Sequence, residues 1–236
     1  MAGKNLRAYH QFCPVAKASE IFAERWTPLV LRELFCGSHR FNELRRGVPL
    51  MSQSMLSQRL KELEFAGLIE RRHDPTKNHW EYHLTTAGEE LRPVVEQLGV
   101  WGRRWVQRTI SKDDLDAGLL MWDIHRRINI SELPGTRTVV HFRFPDAPTP
   151  HRSYWLVLEP EGIDVCFNDP GFNIDLNLET KLITMTKIWL GDMTMDDALR
   201  KGILTLEGPR KLTRQFKKWL LLSDFATVKT QQRSAG

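Results

Sequence analysis

The sequence predicts an α+β protein of two domains, and three observations carry that prediction. Two short helical patterns separated by a tight break run straight into a pair of alternating strands. A helix of some five turns comes next. After residue 110 the texture changes to short strands interleaved with helices, the pattern of one mainly antiparallel sheet with helices on one side. The chain has 236 residues and a mass of 27.5 kDa, long enough for two separate cores. We assign the first domain to residues 1–110, the second to 111–226, and a disordered tail to 227–236.

In chain order, Cys13-Pro14 reads as a helix start, because proline suits the first helical position. Phe41, Leu44 and Val48 mark a short helix from about Arg40, which ends at the Gly47 to Pro49 break. Ser52 then caps a helix running to Leu63. Its buried stripe is Leu56, Leu60 and Leu63, and its opposite stripe is Ser54, Ser57, Gln58 and Lys61. Short hydroxyls, an amide and one cation can hydrogen-bond base edges and phosphates in a major groove without introducing a carboxylate that the backbone would repel. Gly67 stops this helix, Leu68 to Arg72 reads as a strand, and the chain returns after a loop at 73–79 through Trp80 to Leu84, with Trp80, Tyr82 and Leu84 on one face. This is the layout of a winged helix-turn-helix, with one helix in the major groove and the hairpin on the adjoining backbone. In that reading Ser52 and Gln53 anchor the helix start, and Ser54, Ser57, Gln58 and Lys61 face bases or phosphates. Arg40, Arg59, Arg72 and Lys77 neutralise phosphates, and Asn78 sits at the hairpin tip. Gln58 is the base reader, since its amide can pair bidentately with adenine.

The long helix starts at the cap Thr85 and carries Ala87, Leu91, Val94, Val95, Leu98, Trp101 and Trp105 at helical spacing, with a bend expected at Pro93. That apolar face is more than a domain of this size readily covers, so a second copy of the chain is expected to cover it. The whole stretch resembles the HxlR family of bacterial winged-helix transcriptional regulators over residues 10–108. The pieces that carry the resemblance are Cys13-Pro14, Arg25-Trp26-Thr27, Arg40-Phe41 with Glu43-Leu44, the Ser52 to Leu63 helix, Gly67-Leu68, and Tyr82 to Gly88. The resemblance implies a homodimer on double-stranded operator DNA, held together by the first and last helices of the domain. It also carries to Cys13 the role of a candidate redox sensor, alongside the reading of Cys13 as a small buried residue of the dimer contact.

In the second half, a helix around Leu115 to Arg127 is expected to turn Leu115, Leu119 and Trp122 inward. Strands follow at Thr136 to Phe144, Ser153 to Glu159, Ile163 to Phe167 and Ile174 to Leu178, with a helix at Lys181 to Leu190. Thr194 with Asp197 opens another helix, Ile203 to Glu207 is a strand, and Pro209 starts the terminal helix. This order resembles a sterol-carrier-protein-like domain over residues 114–225, through Ile174-Asp175-Leu176, Leu190-Gly191-Asp192 to Ala198, Gly202, and Leu206-Glu207-Gly208. That resemblance implies an apolar space for a small apolar ligand, whose binding residues the sequence leaves unknown. A filled core whose only task is dimerisation or contact with other proteins is the alternative.

Charge agrees with this division. Residues 1–110 hold 17 Lys+Arg against 12 Asp+Glu, whereas residues 111–236 hold 17 of each, so the whole formal +5 lies in the first domain, where phosphate attraction is needed. No stretch reaches the roughly 20 apolar residues of a membrane span, and three scattered cysteines suggest no disulfide framework, so a cytoplasmic protein with no membrane partner is expected. G-x-x-x-x-G-K, G-x-G-x-x-G and G-x-S-x-G are all absent, and neither catalysis nor a cofactor is expected. His79, Glu81 and His83 share a strand face that, with His73, has metal-binding chemistry, but the spacing alone reads as polar surface and no metal is assigned. The rival functional reading is a lipid-binding or transfer protein whose winged helix serves only for assembly.

Overall fold

The computed structural model describes residues 8–106 and 109–231, which fall into two compact units, Met1–Leu98 and Gly99–Gly236. The first unit contains α1 (Pro14–Phe22), α2 (Thr27–Phe35), α3 (Phe41–Gly47), α4 (Gln53–Phe65), the antiparallel strands β1 (Ile69–Asp74) and β2 (His79–Leu84), and α5 (Thr86–Glu89). α6 (Arg92–Trp105) begins in the first unit and ends in the second. Val30, Leu31 and Leu34 of α2, Leu44 of α3, Leu56, Leu60 and Leu63 of α4 and Ile69 of β1 form one buried core. Each of the α4 leucines is at most 1% exposed, and burying one contributes about 1.5–3 kcal/mol. That apolar stripe fixes the rotation of α4 about its axis, so the opposite stripe must face out.

A buried acid sets the position of α3. Glu33 is fully buried, accepts hydrogen bonds from Arg32 at 2.7 Å and Ser38 at 3.5 Å, and packs against Gly47. Arg32 also donates to the Gly47 carbonyl at 2.9 Å, which ties the end of α3 to α2. The helix that the apolar spacing predicts from Thr85 to Trp105 is two helices. Thr85 does cap the first, accepting from Gly88 N at 3.2 Å. The second then starts at Arg92, with Pro93 in its first turn, where a missing N–H costs nothing. Spacing sees only where apolar residues fall, and they keep helical phase across the break.

The two units divide at Leu98 and Gly99, inside α6, twelve residues before the division read from the sequence at 110. The last turns of α6 explain this: Arg103, 6% exposed, donates to the Leu190 carbonyl at 3.0 Å and pairs with Asp192, and Gly99 lies against Phe225. Arg108, part of the basic excess, lies outside the described residues, as does 232–236 of the expected tail. Residues 227–231 are held by Val228 N to the Phe225 carbonyl at 3.0 Å and Gln231 N to the Arg104 carbonyl at 2.9 Å, so that part is not a free tail.

The second unit is a five-stranded sheet with helices. α7 (Ala117–His125) precedes β3 (Thr138–Arg143), β4 (Ser153–Glu159), β5 (Gly162–Cys166) and β6 (Leu176–Thr180). α8 (Leu182–Trp189), α9 (Met195–Arg200), β7 (Leu204–Glu207) and α10 (Arg210–Trp219) complete it. Strand order is β5-β4-β3-β6-β7, antiparallel except for the β3–β6 pair. One sheet face supplies Val140, Phe142, Tyr154, Leu156 and Leu178 to a core shared with Met121, Met185, Phe216 and Trp219 of the helices. The other face carries polar pairs, His141 with Asn177 at 3.1 Å and Arg143 with Glu179 at 2.7 Å. α7 starts two residues later than expected, after its cap Asp116, and this turns Leu120, Met121 and Ile124 inward with Trp122 while Leu119 stays half-exposed.

Candidate nucleic-acid interface

α3 and α4 are joined by the short turn at 48–52, and Ser52 closes it by accepting from Met55 N at 3.3 Å as the cap of α4. Ser52, Gln53, Ser54, Gln58 and Lys61 are exposed and Ser57 is half-exposed, on the side away from the leucines. Among the described residues Lys61 has no acidic partner. Gln58 is engaged within its own helix: its amide nitrogen donates to Glu62 Oε1 at 3.0 Å. Glu62 sits one turn on from Gln58, at the edge of a ridge read from the sequence as free of carboxylates.

Arg59 does not occupy the place expected of it. Its side chain is 13% exposed and lies 2.7 Å from Glu62 and 3.5 Å from Glu24, on the flank of α4. Position 59 follows Gln58 by 100° around the helix, which carries the guanidinium off the outer ridge and toward the packed side. Arg40, at the start of α3, lies 3.8 Å from Glu43 and 3.9 Å from Glu81, with its side chain 44% exposed. Arg72 pairs with Glu70 on its own strand.

The wing is tighter than the expected loop at 73–79. β1 and β2 pair in register from Ile69↔Leu84 to Asp74↔His79, leaving only residues 75–78 for the turn. Asp74 Oδ1 accepts from Thr76 N at 2.8 Å, Thr76 Oγ1 at 2.6 Å and Lys77 N at 3.3 Å, and Asn78 takes φ 50°, a left-handed conformation that asparagine tolerates. The Thr76 hydroxyl, above all, holds the Asp74 carboxyl below the usual range. Lys77 and Asn78 are exposed at the tip. Tyr82 and Leu84 pack on the core as expected, but Trp80 is 50% exposed and is covered by Arg71 at 4.4 Å and by the edge of His73 at 5.0 Å.

The opposite face of the wing was only half-legible. His79 and His83 both donate Nε2 to Glu81, at 2.9 and 3.0 Å, and these hydrogen bonds, His79's first, hold the Glu81 carboxyl below its ordinary range. His39, missed in the sequence, links this face to the start of α3: Tyr82 N donates to the His39 carbonyl at 2.7 Å, and the His39 ring stacks on His83 at 4.5 Å. A cleft of about 360 Å³ lies between the start of α3 and β2, lined by Arg40, Phe41, Asn42, Arg46, His79 and Trp80 among others. No sequence signal marks His39, because its role depends on a long-range strand contact. Arg46 is a basic residue in the last turn of α3, a position that the apolar spacing of the sequence does not single out.

Residues 21–110 match the family described as HxlR-like helix-turn-helix. YvaP of Bacillus subtilis, an uncharacterized HTH-type transcriptional regulator, is 38% identical over 98 residues, covering 41% of this chain and 91% of that protein. The chain belongs to the HxlR-like helix-turn-helix family. A second relative, YkvN of the same organism, also an uncharacterized HTH-type transcriptional regulator, is 32% identical over 105 residues, covering 44% of this chain and 89% of that protein. Among solved structures, the reduced form of the transcriptional regulator YodB from B. subtilis is 31% identical and covers 42% of this chain and all of that one, with a TM-score of 0.37. The HxlR-type protein described here is a DNA-binding transcriptional regulator. Its family match ends at residue 110, so nearly all of the second unit lies beyond it. None of its described helices is long and apolar enough to cross a membrane.

Proposed function

We propose that this regulator works in the cytoplasm as a homodimer on a palindromic operator, with α4 in the major groove and the tip of the wing on the flanking backbone. The observation that carries the proposal is the outward ridge of Ser54, Ser57, Gln58 and Lys61, held in place by three fully buried leucines. Ser52 and Gln53 meet the backbone at the start of α4, and Arg40, Arg72, Lys77 and Asn78 lie along the phosphates. The side chains of Arg40, Arg72 and Lys77 are themselves 44–61% exposed, and ion pairs made by such solvated cations cost little to exchange for a phosphate. Gln58 reads a base after its amide leaves Glu62.

The dimer contact uses exposed apolar side chains of α6, of α1 and of Phe12 just before α1. Phe12 is 100% and Val15 72% exposed, and Val94, Leu98, Trp101 and Trp105 line one side of α6 at 36–56% exposure. Water contact over that much apolar surface favours association. Twofold symmetry then requires half-sites one helical turn apart, about 10–10.5 base pairs, or a multiple of that. Genomic fragments selected by the purified protein test this: a shared palindrome with that spacing is expected, and a featureless collection overturns the proposal.

Two finer readings belong with it. The second unit serves as a sterol-carrier-like effector domain for a small apolar ligand. Tyr154 Oη and Trp219 Nε1 support this, being buried polar groups whose hydrogen-bonding capacity the described residues leave unused. Extraction of the purified protein with organic solvent and mass spectrometry of the extract tests it. Cys13, half-exposed immediately before Pro14 of α1, serves as a redox sensor. Oxidant-dependent release from DNA is expected to vanish in Cys13→Ser, and release unchanged in that variant removes the role.

A further inference from the structure

We infer that the wing carries a binding site for a zinc-like divalent cation, built from Asp74, His79 and Glu81 with His83 positioning the carboxylate. Residues 79, 81 and 83 alternate onto one face of β2, and the strand register brings Asp74 across from His79 onto the same face. One ligand atom from each of Asp74, His79 and Glu81 lies within 4.8 Å of the others. Zinc bonds of about 2.0–2.2 Å in a tetrahedron put ligand atoms about 3.3–3.6 Å apart. His79 Nε2 and Glu81 Oε1, at 2.9 Å, need to open slightly, and Asp74 needs to close by at most about 1.5 Å. All three side chains are only 20–23% exposed, so little rotamer freedom remains to be lost on binding.

The surroundings have the form of an outer shell. His83 Nε2 bonds the second oxygen of Glu81 at 3.0 Å, which leaves Oε1 directed at His79. The stack on His39 at 4.5 Å fixes the His83 ring, and His39 Nδ1 lies 3.1 Å from the Tyr82 carbonyl. Partners of this kind orient metal-binding carboxylates and imidazoles. On Asp74, Oδ1 is occupied by the turn, while among the described residues Oδ2 has only the Lys77 ammonium, at 4.0 Å. Three nearby cations oppose binding weakly: Lys77 is 61%, Arg40 44% and Arg72, across the ladder from Glu81, 59% exposed, and all can swing into solvent. An imidazole with two carboxylate oxygens suits zinc better than calcium or magnesium, which take oxygen ligands throughout. His73, counted with this group by spacing, points to the other face against Trp80. Asp74 and His79 flank the turn that bears Lys77 and Asn78, so a bound ion would stiffen the tip of the wing.

Zinc chloride titrated into metal-stripped full-length protein, against a chromogenic chelator and with the cysteines alkylated, tests the inference without DNA. One zinc per chain is expected. Asp74→Asn and His79→Ala weaken binding at least about tenfold, His83→Ala weakens it less, and His73→Ala leaves it unchanged. Circular dichroism establishes that each variant is folded, and cobalt substituted for zinc should give a visible spectrum that His79→Ala alters. Absence of zinc binding, affinity unchanged in both Asp74→Asn and His79→Ala, or binding abolished by alkylation alone overturns the inference.

Discussion

Lys77 and Arg59 carry the same charge in opposite settings, and replacing each by alanine separates phosphate neutralisation from support of the fold. Lys77 Nζ stands 4.0 Å from Asp74 with 61% of its side chain exposed, so turning to a phosphate breaks almost nothing. Arg59 is 13% exposed and would have to leave Glu62 at 2.7 Å and Glu24 at 3.5 Å. Each phosphate neutralised on B-DNA adds about 0.9 to the slope of log affinity against log salt. Lys77→Ala therefore flattens the slope by about 0.9 for each bound chain, or about 1.8 for a dimer on one duplex. Over a fourfold change in salt, 0.9 in slope is about a 3.5-fold smaller loss of affinity. Arg59→Ala leaves the slope unchanged and destabilises the fold by about 1–3 kcal/mol, because two carboxylates lose a hydrogen-bonded partner. Fluorescence anisotropy of a labelled operator between about 50 and 200 mM salt reads the slopes, and urea unfolding reads stability. A slope flattened by Arg59→Ala and untouched by Lys77→Ala would refute the reasoning.

Gln58→Ala should cost about 1–3 kcal/mol of discrimination at one base pair of each half-site while leaving the salt slope alone; equal losses on all operator variants would show that it reads no base. Gly47→Ala should destabilise by about 1–3 kcal/mol or more in urea unfolding, since a Cβ there would stand 1.8 Å from Cδ of the buried Glu33. Wild-type stability in that variant would mean Glu33 has room to move. Tyr154, pushed up to about 12 by burial first and the Asp116 charge second, should be the last tyrosine to ionise in an ultraviolet titration. Its folded value lies above its unfolded one, so its contribution to stability is complete below pH 10 and lost as the pH rises toward 12. Tyr154→Phe should remove that late step without destabilising the protein at neutral pH, because Tyr154 Oη has no hydrogen-bond partner among the described residues. A marked loss of stability would reveal a partner.

Much of the fold was legible because local signals and burial agree. The cap Ser52, the leucines at 56, 60 and 63 and the stop at Gly67 bound α4 to within two residues, and Thr194 caps α9 as its spacing with Asp197 suggests. The break between α5 and α6 was not legible, since a helical phase of apolar residues survives two non-helical positions. Nor was the division at Leu98, which depends on Arg103 reaching Leu190 and Asp192, residues almost ninety positions away.

The sequence by itself determined the order of helices and strands, the HxlR-like character of the first hundred residues, and which face of α4 is turned outward, because each follows from periods of 3.6 or 2 and from short-range caps. Tertiary structure alone decided which charges on that unit are free. Strand register placed Asp74 beside His79 and Glu81 and turned His73 away, and helix packing gave Arg59 to Glu24 and Glu62. The physical reason is range: a cap or an apolar period acts within a turn or two of chain, whereas an ion pair or a metal-binding cluster exists only once distant segments have been brought within a few ångströms.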